Sequence, residues 1–311
     1  MRIGISEAAT TAGGRDGHFI LDAARTIEEL GFDSLWMPER VVSRSAGDDP
    51  HPYGADREVR ALRTHGFFDA ISSLAAVGAV TERLRLGTYV NLTALRHPFL
   101  TAQQIGTVDH LSGGRVQFGV GAGWYEDEYH YLGADYHTRG AVLTEYLAAI
   151  KQLWTTPITD FHGSHLDFDS AVVGPKPVQR PHPPILIGGN STAALRRIVE
   201  VGDGWLGYGL SGDEITSFVS RLDDALAAAG RSRADMTLAV GFRLPGVGVD
   251  MTPAEVDRGG WDQARDFVEE ASGLGLDEVI ISSRLPPDGY GDSMAELAEV
   301  LGVGGAVAAG R

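Results

Sequence analysis

A short run of glycine, asparagine and serine follows the apolar segment PILIG and has the composition of an anion-binding turn. Gly188, Gly189 and Asn190 lie between this segment and the start of a helical segment near Ser191. Glycines let the backbone approach a ligand closely, and the unpaired N–H groups of a helix start carry partial positive charge. The chemistry predicted here is phosphate binding. The alternative is an ordinary strand-to-helix turn in which Asn190 or Ser191 caps the helix.

Two charged residues, Glu39 and Arg40, follow the apolar segment DSLWM. Charged side chains just after a parallel strand are candidates for a catalytic site, because such strand ends converge on one face of a barrel. Arginine stays protonated at neutral pH, so Arg40 can orient a substrate or stabilise negative charge but cannot shuttle protons. We therefore predict catalytic roles for both residues. The alternative is a salt bridge between them at the rim, which would contribute little.

A third candidate is the glycine-rich end of the segment FGVGAGW. Gly119, Gly121 and Gly123 alternate there with other residues. Small residues at a strand end leave room for a flat ring or for a neighbouring stretch of chain. The residues alone favour neither alternative.

The elements that must position these residues alternate in type, which is the pattern of repeated βα units on a parallel sheet. Short β-rich runs fall at 2–6, 33–37, 84–91, 115–120, 184–188, 204–208, 237–243 and 278–283. Segments of helical period fall at 17–30, 66–81, 99–112, 139–154, 191–201, 213–229, 260–274 and 292–301. Eight such units predict an α/β fold, a single (β/α)8 TIM barrel over 1–311 with insertions, because a doubly wound sheet typically needs fewer strands.

Three connections, at 38–65, 121–138 and 156–183, are far longer than a typical loop of about 4–6 residues. The first two follow strand ends, so we expect them to wall a pocket. The third precedes a strand, so we expect its proline-rich part at the opposite rim or along the outside. The last residues, 303–311, are predicted to be frayed.

Composition excludes several classes of protein. With 26 basic and 42 acidic residues, the net charge is −16. The sequence also has no basic run, which argues against nucleic acid as a partner. No stretch reaches the ~18–20 apolar residues of a membrane span, and the N-terminal MRIGIS does not have the pattern of a signal peptide. We expect a cytoplasmic protein that acts on a small molecule. The absence of cysteine excludes thiolate sites, and the scattered histidines lack metal-site spacing.

The segments GFDSLWMPER, RHPFLTAQQIGTVDHLSGGRVQFGVGAGW and KPVQRPHPPILIGGNSTAALRRIVEVGDGWLGYG occur in the order typical of one family. Over about residues 1–285 the chain resembles the bacterial luciferase-like flavin and deazaflavin oxidoreductases, and it is most similar to the F420-dependent branch. The resemblance implies a (β/α)8 barrel, usually a homodimer, that binds coenzyme F420 or FMN at the carboxyl ends of the strands. It implies no particular substrate.

The resemblance also implies roles for particular residues. Ala122, Gly123 and Trp124 would line the coenzyme, while Gly188, Gly189 and Asn190 would hold its phosphate with Tyr208 and Gly209 as a second wall. A bulge at Thr88, Tyr89, Val90 and Asn91, often with a cis peptide, would support the ring from behind. The candidate cis bond is Tyr89–Val90, and the alternative is a plain strand end.

Two departures from the family pattern bear on the reaction. Family members often have a histidine where this chain has Arg40, and some deazaflavin dehydrogenases have a glutamate at the position of Trp124. The second departure argues against a sugar-phosphate dehydrogenase of that type. We predict hydride transfer between F420 and a small organic substrate; the alternatives are a monooxygenase that uses reduced FMN and oxygen, and a member without turnover.

The other polar residues considered fall into two groups, which are possible ligands of the coenzyme tail and structural residues. Arg57, Arg60, Arg63 and Arg139 could bind the anionic lactyl-oligoglutamate tail of F420, although solvated surface arginines are the alternative. Four others are interpreted as structural: His97 before a helix, His110 at a helix end, and Asp109 with Arg115 around the SGG turn.

Overall fold

Eight parallel strands close into a barrel. The computed structural model describes residues 1–7, 10–44, 65–248 and 251–304. Its strands are β1 (Arg2–Ser6), β2 (Ser34–Met37), β3 (Arg85–Thr88), β4 (Val116–Val120), β5 (Thr159–His162), β6 (Asp167–Ala171), β7 (Ile185–Gly188), β8 (Gly204–Tyr208), β9 (Thr237–Arg243) and β10 (Glu278–Ser282). The order around the barrel is β1-β10-β9-β8-β7-β4-β3-β2. The predicted (β/α)8 fold is confirmed, with β3 ending three residues earlier than the predicted segment 84–91.

Most of the described helices cover the barrel on the outside. They are α1 (Gly17–Glu29), α2 (Ala70–Val80), α3 (Pro98–Leu111), α4 (Glu126–Tyr131), α5 (Arg139–Thr155), α6 (Thr192–Val201), α7 (Gly212–Ala228), α8 (Gly259–Gly273) and α9 (Tyr290–Val300). In α1 an apolar face of Ile20, Ala23, Ala24 and Ile27 is buried, and the Asp16 side chain accepts a hydrogen bond from Phe19 N at 2.8 Å at the helix start. Of the first long connection, 45–64 lies outside the described residues, as does 305–311 of the predicted frayed tail.

Two insertions contain structure that the sequence analysis did not predict. The short helix α4 lies within the connection 121–138, and β5 pairs with β6 as an antiparallel hairpin within 156–183. The Glu145 carboxylate on α5 accepts hydrogen bonds from Ser164 N, His165 N and Leu166 N, which ties the hairpin turn to the helix. The hairpin therefore packs on the outer layer.

The barrel interior contains one layer of large side chains below the carboxyl ends of the strands. Trp36, Leu206 and Ile280 are fully buried there together with Leu186 and Ala239. The Trp36 indole N–H donates to the Glu278 carboxylate at 2.8 Å, so the buried polar groups of this layer are hydrogen-bonded. The layer is the floor on which the candidate site rests.

The proline-rich part of the third connection packs at the amino ends of the strands, as predicted. The Asp109 carboxylate at the end of α3 accepts hydrogen bonds from Val178 N at 2.7 Å, Gln179 N at 3.0 Å and Gln179 Nε2 at 2.7 Å. Gln179 Nε2 also donates to Val116 O at the start of β4. Asp109 is therefore a structural residue that fastens this connection to the rim opposite the site.

The other residues interpreted as structural are confirmed. His97 Nδ1 accepts a hydrogen bond from Phe99 N at the start of α3, and His110 Nε2 contacts Lys176 O at 2.8 Å. The Arg115 guanidinium donates to several backbone carbonyls, including Leu84 O at 2.7 Å. None of these side chains lines the cavity described below.

Replacement of Asp109 should destabilise the fold without affecting ligand binding. In Asp109→Ala, two backbone N–H groups and one amide lose a charged acceptor, so we expect the free energy of unfolding to fall by about 2–4 kcal/mol. Chemical denaturation measures this change. The matched control is Asp22→Ala, which removes an exposed i,i+3 pair with Arg25 and should cost less than about 0.5 kcal/mol. Equal effects of the two changes would contradict the assignment.

Candidate active site

A cavity of about 620 Å³ opens at the carboxyl ends of the barrel strands. Small-molecule sites typically enclose about 300–1,000 Å³, so the cavity can hold a coenzyme ring and a substrate group. Of the fourteen residues predicted for the site, eleven line it: Glu39, Arg40, Tyr89, Val90, Ala122, Gly123, Trp124, Gly188, Gly189, Asn190 and Tyr208. The structure therefore brings most of the predicted residues together around one cavity.

Three predicted residues, Thr88, Asn91 and Gly209, do not line the cavity. Thr88 is buried and its hydroxyl donates to Gly119 O at 2.6 Å. Asn91 is also buried and its amide donates to the Glu39 carboxylate at 3.1 Å. Gly209 lies in an exposed turn with φ 66°. Thr88 and Asn91 thus support the strand ends from behind, where they face protein.

The Tyr89–Val90 peptide is cis, as the resemblance implied. Val90 lies at the barrel mouth between two glycines: a Cβ atom at Gly121 would come within 2.5 Å of the Val90 side chain, and one at Gly188 within 2.9 Å. A Cβ at Gly119 would likewise lie 2.1 Å from Thr88 O. Of the two alternatives for FGVGAGW, close approach of neighbouring chain is therefore the one observed at Gly119 and Gly121.

The turn after β7 has the geometry of an anion-binding loop. Gly189 has φ 113°, a conformation that side chains rarely allow, and Ser191 caps α6 by accepting a hydrogen bond from Ala194 N at 3.2 Å. Asn190 Nδ2 donates to Tyr208 O at 2.9 Å, whereas its buried Oδ1 accepts no hydrogen bond from the described residues. A buried acceptor without a donor is costly, so this oxygen fits a ligand hydroxyl or N–H group.

Arg197 on α6 faces the same part of the cavity, and the sequence analysis did not single it out. Its side chain donates from Nε to Thr144 Oγ1 at 3.0 Å and from Nη2 to Gly140 O at 2.9 Å. The residue is 8% exposed, and no described carboxylate lies within 4.0 Å of it. Burial lowers the pKa of Arg197, but a guanidinium remains charged at neutral pH. A buried cation that makes no ion pair with a described carboxylate fits an anionic ligand.

Arg139, at the start of α5, also lines the cavity. It donates to Gly123 O at 3.2 Å and to Tyr136 O at 2.6 Å, and its guanidinium lies 3.6 Å from the centre of the Tyr136 ring. These contacts fix the side chain without neutralising its charge. The other three arginines considered for the coenzyme tail, Arg57, Arg60 and Arg63, lie outside the described residues.

Glu39 is buried, and its carboxylate is engaged with the chain that follows β3. It accepts hydrogen bonds from Leu92 N at 2.6 Å and Asn91 Nδ2 at 3.1 Å, and it forms a short ion pair with Arg96. Arg96 also contacts Asp69 at 2.9 Å. Burial raises the pKa of Glu39, and the Arg96 guanidinium opposes this shift. Such a carboxylate is suited to holding the loop in place.

Arg40 pairs with a different residue and joins two walls of the cavity. Its guanidinium contacts the buried Glu128 carboxylate at 3.0 Å and lies 4.8 Å and 4.9 Å from the ring centres of Trp124 and Tyr125. Glu128 also accepts a hydrogen bond from Val41 N at 2.6 Å. The first two long connections are thereby held together, and Arg40 is placed to orient a ligand.

Several lining residues escaped the sequence analysis, because some lie at strand ends of ordinary composition and others lie in connections or on a helix. They are Ser6, Phe67, Leu92, His137, Ser191, Arg197, Leu206, Ser282 and Arg284, among others. The polar residues immediately after β1 and β10 could have been predicted to line the site, since every strand end of a barrel faces it. Among the described residues, no group of three potential ligands could hold a metal ion. No helix in the described ranges combines the length and apolarity needed to cross a membrane.

Comparison with known proteins identifies the family. The sequence model of the luciferase-like monooxygenase family matches residues 2–256 of this chain. The chain belongs to the luciferase-like monooxygenase family. Members of this family are oxidoreductases and monooxygenases, and its barrel agrees with the closed eight-stranded sheet described above.

Similar proteins are named for both coenzymes. An uncharacterized protein of Mycobacterium tuberculosis is 39% identical over 213 residues, which are 67% of this chain and 74% of that protein. The FMNH(2)-dependent dimethylsulfone monooxygenase of Pseudomonas putida is 32% identical over 180 residues, 57% of this chain and 46% of that protein. An F420-dependent secondary alcohol dehydrogenase has a TM-score of 0.75 at 17% identity, over 96% of this chain and 98% of that chain, which shows a shared fold.

Removal of the Glu39 carboxylate should destabilise the site-forming loop. In Glu39→Ala, Leu92 N and the Asn91 amide lose a charged acceptor while Arg96 keeps its contact with Asp69, so we expect the free energy of unfolding to fall by about 2–4 kcal/mol. Glu39→Gln should lose less, because the side-chain amide oxygen can still accept the hydrogen bond from Leu92 N. Urea denaturation of the three proteins measures both effects.

The matched control for this experiment is Glu296→Gln. It removes an ion pair with Arg258 in which both side chains are 46% exposed, and it should cost less than about 1 kcal/mol. A loss below 1 kcal/mol in Glu39→Ala would show that the Glu39 carboxylate does not hold the loop.

Proposed function

We propose that the protein is an oxidoreductase that binds coenzyme F420 in the cavity and transfers a hydride between the coenzyme and a small organic substrate. The observation that carries the coenzyme site is the buried guanidinium of Arg197, which makes no ion pair with a described carboxylate and lies on α6 beside the anion-binding turn. An anion between this cation and the helix N–H groups would be stabilised by both.

The residues present fit such a coenzyme. Gly189, Ser191 and Arg197 would hold its phosphate, and the buried Asn190 Oδ1 would accept a hydrogen bond from a hydroxyl of its side chain. Trp124 would lie along the ring. Hydride transfer is the chemistry that the coenzyme ring supplies when bound.

The chain's own part in the reaction is positioning and exclusion of water. The Glu39 carboxylate holds the loop that carries Val90, while the Arg40–Glu128 pair fixes the wall that carries Trp124. Alignment of the two reacting carbons in a closed cavity would supply much of the rate enhancement. Arg40 would stabilise negative charge that develops on the bound ring, since it cannot exchange protons at neutral pH.

A second cation favours F420 over FMN as the coenzyme. Arg139 lines the cavity without a described acid partner, in a chain whose net charge is −16. Two unpaired guanidiniums match a coenzyme with several anionic groups, such as the phosphate and oligoglutamate tail of F420. The second candidate is a monooxygenase with reduced FMN and oxygen, which the similarity to the Pseudomonas putida enzyme supports.

Replacement of Arg197 should weaken coenzyme binding. In Arg197→Met we expect the Kd for F420 to rise about 10- to 100-fold, because one charge-assisted contact to the phosphate is lost. Arg196→Met is the control: it removes the same charge from an exposed position one residue earlier on α6 and should change the Kd less than 3-fold. Fluorescence titration measures both values. Equal effects would show that general electrostatic attraction accounts for binding.

The choice of coenzyme can be tested by titrating the wild-type protein and Arg139→Met with F420 and with FMN. We expect the wild type to bind F420 more tightly, and Arg139→Met to lose more affinity for F420 than for FMN because the tail loses a cation. Preference of the wild type for FMN would favour the monooxygenase. Binding of neither coenzyme would refute both functions.

A further inference from the structure

Arg284 has a backbone conformation that is unusual for its residue type. Its φ is 43°, and the other described non-glycine residue with positive φ is Ser170 in the exposed hairpin. A side chain in the left-handed region is disfavoured relative to glycine, and such residues occur where the surrounding structure enforces them, often at binding sites. Arg284 follows β10 and lines the cavity.

A buried network fixes the chain on both sides of Arg284. Glu7 and Arg15 form an ion pair of 2.6 Å in which both side chains are buried. The Ser283 hydroxyl donates to the other Glu7 oxygen at 2.6 Å, and Arg15 makes a short hydrogen bond to Leu285 O. The residues immediately before and after Arg284 are thus tied to one ion pair. Neither Glu7 nor Arg15 lines the cavity, so their contribution is to hold Arg284.

Two serine hydroxyls complete a set of donors beside Arg284. Ser6 and Ser282 are the last residues of β1 and β10, are paired in the barrel register, and both line the cavity. In the described part of the chain, neither hydroxyl has a hydrogen-bond partner. A guanidinium and two free hydroxyls at adjacent strand ends match the oxygens of a carboxylate.

This donor set lies across the barrel from the anion-binding turn. In the order β1-β10-β9-β8-β7-β4-β3-β2, β1 is four strands from β7, and β10 is four strands from β4. Ser6 is therefore on the opposite side of the mouth from Gly188, and Arg284 is opposite the segment that carries Trp124. The two sets of donors face different ends of whatever fills the cavity.

We infer that Arg284, with Ser6 and Ser282, binds a carboxylate group of the substrate. The inference rests on the proposed function, in which the turn after β7 and Arg197 hold the coenzyme phosphate. A charge-assisted contact at Arg284 selects small organic acids over neutral molecules of the same shape. The Glu7–Arg15 pair is a positioning element for Arg284, and the unusual backbone conformation is the cost of placing the guanidinium there.

Two pairs of isosteric probes test this substrate class on the coenzyme-loaded protein. The probes are benzoate with benzamide, and trans-cinnamate with trans-cinnamamide, titrated by calorimetry. We expect the wild type to bind each acid at least 10-fold more tightly than its amide. Arg284→Met should weaken binding of the acids about 10- to 100-fold and leave the amides within 3-fold. Arg243→Met, at the end of the neighbouring β9 but outside the cavity lining, is the control for loss of one positive charge.

Arg284→Gly separates binding from structure. Glycine adopts positive φ readily, so this variant should keep or raise the Tm, by about 1–3 °C, while it loses the preference for acids. A lower Tm with the preference retained would show that the side chain is structural. Glu7→Gln should weaken acid binding less than Arg284→Met, because it loosens the anchor and leaves the guanidinium.

The coenzyme titrations keep the two proposals distinguishable. The inference is overturned if the loaded wild type does not prefer the acids, or if Arg284→Met and Arg243→Met reduce acid binding equally. If the wild type binds neither coenzyme, the proposed function fails instead, and the same probe titrations on the coenzyme-free protein then report on Arg284 alone. Unchanged coenzyme affinity in Arg284→Met is expected in every case that supports the inference.

Discussion

The buried carboxylate of Glu39 is the interaction on which the geometry of the cavity depends. Glu39 lies just after β2. Its carboxylate accepts hydrogen bonds from Leu92 N and from the Asn91 amide in the chain after β3, and it forms an ion pair with Arg96. This contact brings the loop across the barrel mouth, where Val90 fills the space that Gly121 and Gly188 leave open. The position of the loop thus requires glycine at Gly121 and Gly188, and the Glu39 carboxylate holds the loop in that position. The loop after β3 therefore covers part of the barrel mouth and forms one wall of the cavity.

Electrostatics then divides the cavity into two ends. The chain is strongly acidic overall, yet Arg139, Arg197 and Arg284 all line the cavity. Arg139 and Arg197 adjoin the segments that follow β4 and β7, and Arg284 follows β10. Because low-dielectric walls strengthen interactions with each cation, a ligand with negative charge at both ends would be favoured. A phosphate-bearing coenzyme at one end and an acidic substrate at the other meet this requirement without competition.

The sequence predicted the barrel because it depends on local patterns, whereas most of the residues found around the cavity were named through the family resemblance. Each βα unit has its own apolar period, and glycines mark the ends of its elements. The residues that follow each strand all face the same end of the barrel. The hairpin β5–β6 and the helix α4 were missed for the opposite reason. Segments such as TDFH and DFDSA are largely exposed and lack a continuous apolar run, and α4 has six residues, too few for a helical period. Arg197 escaped because its position falls within the apolar face of α6.

The Arg284 region could not be predicted locally because barrel closure creates it. Glu7 and Ser283 are 276 residues apart, and they meet because β1 pairs with β10. The ion pair between Glu7 and Arg15 is then buried beneath the mouth, where it can impose a left-handed conformation on a residue that would otherwise avoid it. A network that does not itself line the cavity therefore fixes the chain on both sides of Arg284. The residues around Arg284 and the turn after β7 are built on different strands, so contacts at one end of the cavity can be altered without altering the other.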